Sequence, residues 1–457
     1  MTLPPAAPVA ILLVGLLAPA PLDTRVDAPE DTRVDAPEDA RPGLGLAPGH
    51  AFFGPAVPSE VPDPTTKAST RARRDRVAAA LEDGVLAVAA GPDAEGRFHP
   101  DALFHWLTGV ATPDAVLLVE VEAGAITRER LYLPEKDAGY ERWNGWRPAP
   151  GTASEERYGI AETAPLGQWQ DDLKVLVEEV DDKPRVHGEA ISDFLVELQA
   201  ELESKARLQR PASRLLRAAA AVREPAEQAA IHAAVDMTQK ALAEAFRQVR
   251  PGNWEYQAEA AIEGGYRSRG AFGPSFPSIV GSGPNSCYLH YRSNERQFQA
   301  GDLVVMDVGA RYKGYCADVT RTIPVSGEFT PRQREVYQAV WDASLAAAST
   351  LEPGSSIGAA DRAARALLDE RGFGRYFLHS VGHGLGLYVH DDPGGSKALE
   401  PGMVVTIEPG VYIAEEELGV RIENDFLITE DGAVWLSDEL PSDPDALLAF
   451  LKEVRGE

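Results

Sequence analysis

Cysteine is nearly absent from this 457-residue chain, Cys287 and Cys316 being the only two. That excludes a cysteine-rich structural zinc site and a disulfide framework from which a compartment could be read. Basic charge is also short, with 44 Lys and Arg against 71 Asp and Glu and a net charge of −27. The balance argues against nucleic acid or an anionic membrane as a partner, since both are polyanionic. Long apolar runs are missing too. The stretch from Ala6 to Ala20 is too short for a membrane span and reads as the core of a signal peptide over 1–22, although no Lys or Arg precedes it. Export, periplasmic or secreted, is the expectation, with a cytoplasmic location as the alternative. Otherwise 44% hydrophobic and 25% charged residues are ordinary for a globular chain, and the length suits two or three units.

The octapeptide DTRVDAPE stands at 23–30 and again at 31–38. Acidic, proline-bearing and poor in large apolar residues, the segment 23–66 is expected to be a disordered linker. From Thr70 the segment RARRDRVAAAL reads as a basic amphipathic helix. Strand-like runs follow at 85–90, 115–122, 130–133 and near 173–180, then a helix over 189–206, so that 67–207 reads as a small α/β domain.

Carboxylates inside apolar runs dominate the second half. Asp307 sits in Leu303-Val304-Val305-Met306-Asp307-Val308, Glu408 follows Val404-Val405-Thr406-Ile407, and Glu423 follows Val420-Arg421-Ile422. An unpaired carboxylate buried there is costly, and nearby bases are too few to pair all three, which favours divalent cations. A turn near Tyr312-Lys313-Gly314 makes 303–323 a hairpin with Asp307 and Asp318 roughly facing, and Glu408 and Glu423 stand in the same relation around Glu415-Glu416-Glu417. With His383 these four carboxylates suit a pair of ions such as manganese, cobalt or zinc.

The chain also repeats internally. Gly301 to Gly309 lines up with Gly402 to Gly410, glycine to carboxylate six residues in both, and Pro251-Gly252 matches Pro353-Gly354. Each Pro-Gly follows a long amphipathic segment, 225–249 or 331–350, and precedes a second helical stretch, 254–268 or 356–371. Two helix-helix-hairpin halves related by an approximate two-fold would bring four carboxylates to one point.

The segments MDVGARYKGYCADVTRT (306–322), HSVGHGLGLYVHDD (379–392), VVTIEPGVYI (404–413) and GVRIEND (419–425) resemble the pita-bread metallopeptidases, the superfamily of methionine aminopeptidase, aminopeptidase P, prolidase and creatinase. The resemblance covers roughly 67–440, and HPDALFHWLTGVATPDAVLLV (99–119) is similar to the N-terminal domain of aminopeptidase P and prolidase, which methionine aminopeptidases lack. It implies an α+β fold with a pita-bread catalytic domain over 208–450 after the smaller α/β domain. It further implies that Asp307 chelates one metal, His383 and Glu408 the other, and that Asp318 and Glu423 bridge both. His290 and His390 would contact substrate, His379 would line the proline side, and Arg421 would support the ligands from behind. Tyr388 departs from the pattern, where close relatives commonly carry a small acidic residue.

The activity so implied is release of the N-terminal residue before a proline, through a hydroxide held between two metal ions, manganese for preference, with Glu408 as proton acceptor. Prolidase, confined to X-Pro dipeptides, is the alternative. A non-catalytic binding domain is a second alternative, from another class, and it would be expected to lack ligands. A homo-oligomer, dimer or tetramer, belongs to the same expectation.

Overall fold

The computed structural model describes residues 60–92, 98–179, 185–189, 207–208, 212–391 and 397–457. The expected signal peptide, the octapeptide repeat and residues 190–206 of the expected helix lie outside them. Among the described residues no helix is long and apolar enough to cross a membrane.

The basic segment forms the helix Lys67–Leu81, started by Thr66, whose side chain accepts from the Ser69 amide. Residues 60–66, placed in the linker by sequence, pack instead: Lys313 donates to the Val61 carbonyl at 2.9 Å. A six-stranded mixed sheet runs Glu162–Pro165, Ala125–Leu133, Val116–Glu122, Gly84–Ala89, Arg185–Glu189, Arg207–Leu208. Both faces of Gly84–Ala89 are covered, which is why that run is apolar without alternation.

The strand expected near 173–180 is a helix, Trp169–Glu179. Trp169, Leu173 and Leu176 recur at helical spacing and pack on Val85, Ala87 and Leu118 of the sheet. A short apolar run fits either period, and the sheet face it covers selects the helix.

Downstream, the helices Pro225–Ala245 and Glu255–Ser268 precede one hairpin, and Pro331–Ala348 and Ile357–Glu370 precede another. Both long helices begin with proline behind a capping box, Glu224 with Glu227 and Thr330 with Gln333. The paired Pro-Gly turns have one backbone reason, since Gly252 and Gly354 sit at φ +91° and +86°.

In the first hairpin Leu303–Val308 pairs with Val319–Pro324 and Ala310–Tyr312 with Tyr315–Cys316. Lys313 and Gly314, both at positive φ, form its two-residue turn. Asp307 therefore stands opposite Thr320, and the continuing register sets Asp318 opposite Gly309. The two aspartates do not face each other as their spacing suggested; Asp318 is two positions along, on the same face. In the second hairpin Ile407 pairs with Asn424 and Gly410 with Arg421, so Glu408 stands opposite Glu423 in the gap between two ladders.

Candidate metal centre

Ligand atoms of Asp318, His383 and Glu423 lie within 4.8 Å of one another. Glu408 joins through His383, whose Nε2 is 3.6 Å from both Glu408 Oε1 and Asp318 Oδ2. Asp307 lines the same cavity, of about 1000 Å³, with one oxygen taken by Arg421 Nη2 at 2.6 Å. Thr320 donates to Glu423 Oε2 at 2.8 Å, bridging the two hairpins.

His383 reaches the cluster from a loop stitched to the neighbouring strand. Its carbonyl accepts from Thr406 N at 2.9 Å, and a Cβ on Gly382 would meet the Thr406 carbonyl at 2.0 Å, so glycine is required there. The far end of the loop is closed by a buried ion pair, Arg223 to Asp391 at 2.7 Å, while Asp391 also accepts from Leu387 N.

Three features fit this group of residues to divalent cations. Asp307 Oδ1, Asp318 Oδ1 and Glu423 Oε1 are buried without a hydrogen-bond partner. Burial first, and then the charge of its neighbours, pushes the carboxyls of Asp318 and Glu423 well above the usual range, and burial pushes Glu408 to about 8. Burial lowers His383 to about 4, so its ring is neutral; Nδ1 faces the Gly384 carbonyl at 3.0 Å and must carry the hydrogen. Nε2 then offers a lone pair toward two carboxylate oxygens, an arrangement that a cation between them satisfies.

The stability of the cation-free protein should respond accordingly. A carboxyl raised in the folded state holds a proton that unfolding releases, so its contribution is complete below the ordinary value of 4.5 and is lost as pH climbs toward 8. We expect the melting temperature of chelated protein to fall between those limits. Added divalent cation should raise it more at pH 8 than at pH 5, which thermal unfolding at both values checks.

The remaining histidines are placed differently. His379 Nε2 accepts from the Tyr412 hydroxyl at 2.8 Å, its Nδ1–H facing the Ser380 carbonyl, and Tyr412 accepts in turn from Arg421 Nη1. Burial, and after it the Arg421 charge, holds His379 at about 4. His390 is exposed, its ring 4.3 Å from that of His383. His290 is exposed on the cavity wall, on a loop moored by buried Glu255, which accepts from Ser282, Tyr291 and Arg296. Exchanging Glu255 for glutamine turns an acceptor against these donors. It should cost about 2–4 kcal/mol in denaturant unfolding and lower turnover through the His290 loop.

Sequence reading missed Tyr412, Glu255, the Arg223–Asp391 pair and Asp425, a buried carboxylate that accepts from the Asp318 amide. Asp425 carried a signal, being a second carboxylate two residues from Glu423 in the same apolar segment. The others carried none, because their partners are remote in the chain.

A helical repeat that brings two carboxylate-bearing hairpins and one imidazole together defines a metallohydrolase class, and comparison with known proteins narrows it. Residues 229–430 match the metallopeptidase family M24, and residues 70–187 match the aminopeptidase P N-terminal domain. The chain is 32% identical to the Xaa-Pro aminopeptidase of Escherichia coli over 416 residues, 82% of this chain and 94% of that protein. It is 31% identical to Xaa-Pro aminopeptidase 3 of Mus musculus, over 77% of this chain and 76% of the other. The fold superposes on aminopeptidase P from E. coli, solved with the inhibitor Pro-Leu, with a TM-score of 0.77 at 29% identity, covering 86% of this chain and 99% of that one. The chain thus belongs to metallopeptidase family M24.

Proposed function

We propose that this protein removes the N-terminal residue from peptides with proline in second position, using two divalent cations, manganese for preference over cobalt or zinc. The observation that carries the reading is the group of buried Asp318 and Glu423 with half-buried Glu408 around the bare Nε2 of His383, open to a peptide-sized cavity. Xaa-Pro aminopeptidases align along most of this chain, whereas the 40%-identical Xaa-Pro dipeptidase of Pyrococcus furiosus aligns over 45% of it, which favours the aminopeptidase and keeps the dipeptidase as the second reading.

Asp307, Asp318, His383, Glu408 and Glu423 would hold the cations. When bound, these supply Lewis acidity toward water and the scissile carbonyl. With the cations' charge beside it Glu408 would be ionised, and it would accept a proton from the attacking water and pass it to the leaving nitrogen. That nitrogen is proline's and carries no hydrogen in the peptide, so the supplied proton is what lets it leave. Arg421 fixes Asp307 and, through Tyr412, the ring of His379. His290 and His390, on the open side, contact the substrate and the oxyanion as it forms.

Metal-stripped protein with and without manganese, offered an X-Pro-Y tripeptide, an X-Pro dipeptide and an X-Ala-Y control, tests this. Metal-dependent cleavage of the tripeptide with little on the control is expected, and cleavage of the dipeptide alone selects the second reading. Two further proposals accompany it. Trp143 and Trp146, 85% and 65% exposed on the N-terminal domain, support self-association there, which light scattering of Trp143→Ala checks. The apolar stretch 6–20 supports export, which a secretion-dependent reporter fused after residue 22 checks.

A further inference from the structure

The cavity that holds the acidic cluster is lined by four arginines; Arg421 is committed to Asp307, which leaves Arg217, Arg292 and Arg311. Among the described residues none of them forms an ion pair. Arg311 Nη1 donates to the Leu387 carbonyl at 3.3 Å and Arg217 Nη1 to the His390 carbonyl at 3.1 Å, so both lean on the wall that bears His390. Arg217 is also stacked 3.9 Å from the ring centre of Tyr388, whose hydroxyl donates to Asp101 Oδ2 at 3.3 Å. Arg292 is exposed, two residues from His290. The other carboxylates of the cavity are committed: Asp307, Asp318, Glu408 and Glu423 to the centre, and Asp361 to Arg365 at 2.7 Å.

A guanidinium has five N–H donors in a fork that matches a carboxylate, and backbone carbonyls take few of them here. The chain carries −27 overall, a field that repels anionic peptides. Three arginines without ion-pair partners among the described residues, in one cavity of so acidic a protein, make a local exception. The reading above places the N-terminal end of the peptide at the centre, and the arginines suit a negative charge toward its other end. At about 3.5 Å per residue a chain of three or four residues would span a cavity of this size.

We propose that Arg217 and Arg311, assisted by Arg292, bind a substrate carboxylate beyond the scissile bond, making the protein selective for short peptides or for peptides acidic at that position. The inference rests on the peptidase reading and names its substrate class. It places Tyr388 as the platform that holds Arg217.

The test compares three substrates, X-Pro-Y with a free C-terminal acid, the same peptide as its amide, and X-Pro-Glu amide, with the wild type and with Arg217→Gln, Arg311→Gln and Arg292→Gln. We expect kcat/KM for the acid to exceed that for the amide by about tenfold, through KM, and the gap to shrink in high salt. The gap should close in Arg217→Gln or Arg311→Gln and narrow in Arg292→Gln, with the plain amide cleaved as before. X-Pro-Glu amide matching the acid assigns the carboxylate to a side chain; its matching the plain amide assigns it to the chain terminus. Equal rates for acid and amide in the wild type overturn the proposal, and so does an equal fall for both in the variants, which would report damage to the His390 wall. Exposed Arg292 supplies a variant that does not threaten folding. Failure to cleave any X-Pro peptide under any divalent metal overturns the peptidase reading itself, and this inference with it.

Discussion

Replacing Glu423 by alanine should abolish activity, by about a thousandfold or more, and should also remove the protein's response to divalent cations. The two losses share a cause. Glu423 supplies one of the three ligand atoms that lie within 4.8 Å of each other, and its Oε1 has no partner in the protein. A cation that binds only the folded state raises stability by RT ln(1 + [L]/Kd), about 2.7 kcal/mol at a hundred times Kd, and without Glu423 that increment should vanish. In chelator the sign reverses, because alanine removes a buried acid crowded by Glu408 and Asp307, so Glu423→Ala should melt no lower than the wild type. Thermal unfolding with and without manganese reads both halves. A variant that keeps full activity, or keeps the cation-induced rise, sinks the metal assignment.

His290→Ala should separate chemistry from metal. His290 is exposed on the cavity wall and lies outside the cluster of ligand atoms. Its loss should leave the cation-induced rise in melting temperature intact while turnover falls by about 10²–10³, the range for a lost oxyanion contact. Single-turnover kinetics at saturating manganese measures it, and an unchanged rate would strike His290 from the catalytic group. Comparison with the Glu255 exchange is informative, since Glu255 touches the 282–296 loop and not the metal residues. A fall in turnover common to both, with cation binding preserved, would show that the loop acts through His290.

Much of this could be read directly from the chain. Pro-Gly turns and apolar periods are local signals, and they located both helix pairs and both hairpins because a turn or a helix or strand face depends on residues within a few positions. The ligand types were legible for the same kind of reason: a carboxylate inside a run such as Leu303–Val308 is anomalous wherever the run packs. Pairings between distant segments left no such mark. Closing the first hairpin on Lys313-Gly314 moved the residue opposite Asp307 from Asp318 to Thr320, a two-residue difference that spacing alone did not resolve. Leu173 and Leu176 had to meet the sheet before their run became a helix. Tyr412 acquired its role from His379 and Arg421, Asp391 from Arg223, and Tyr388 from Arg217 and Asp101. Such partners lie up to 287 residues apart, and a contact at that separation depends on how whole layers pack, which local periodicity does not encode.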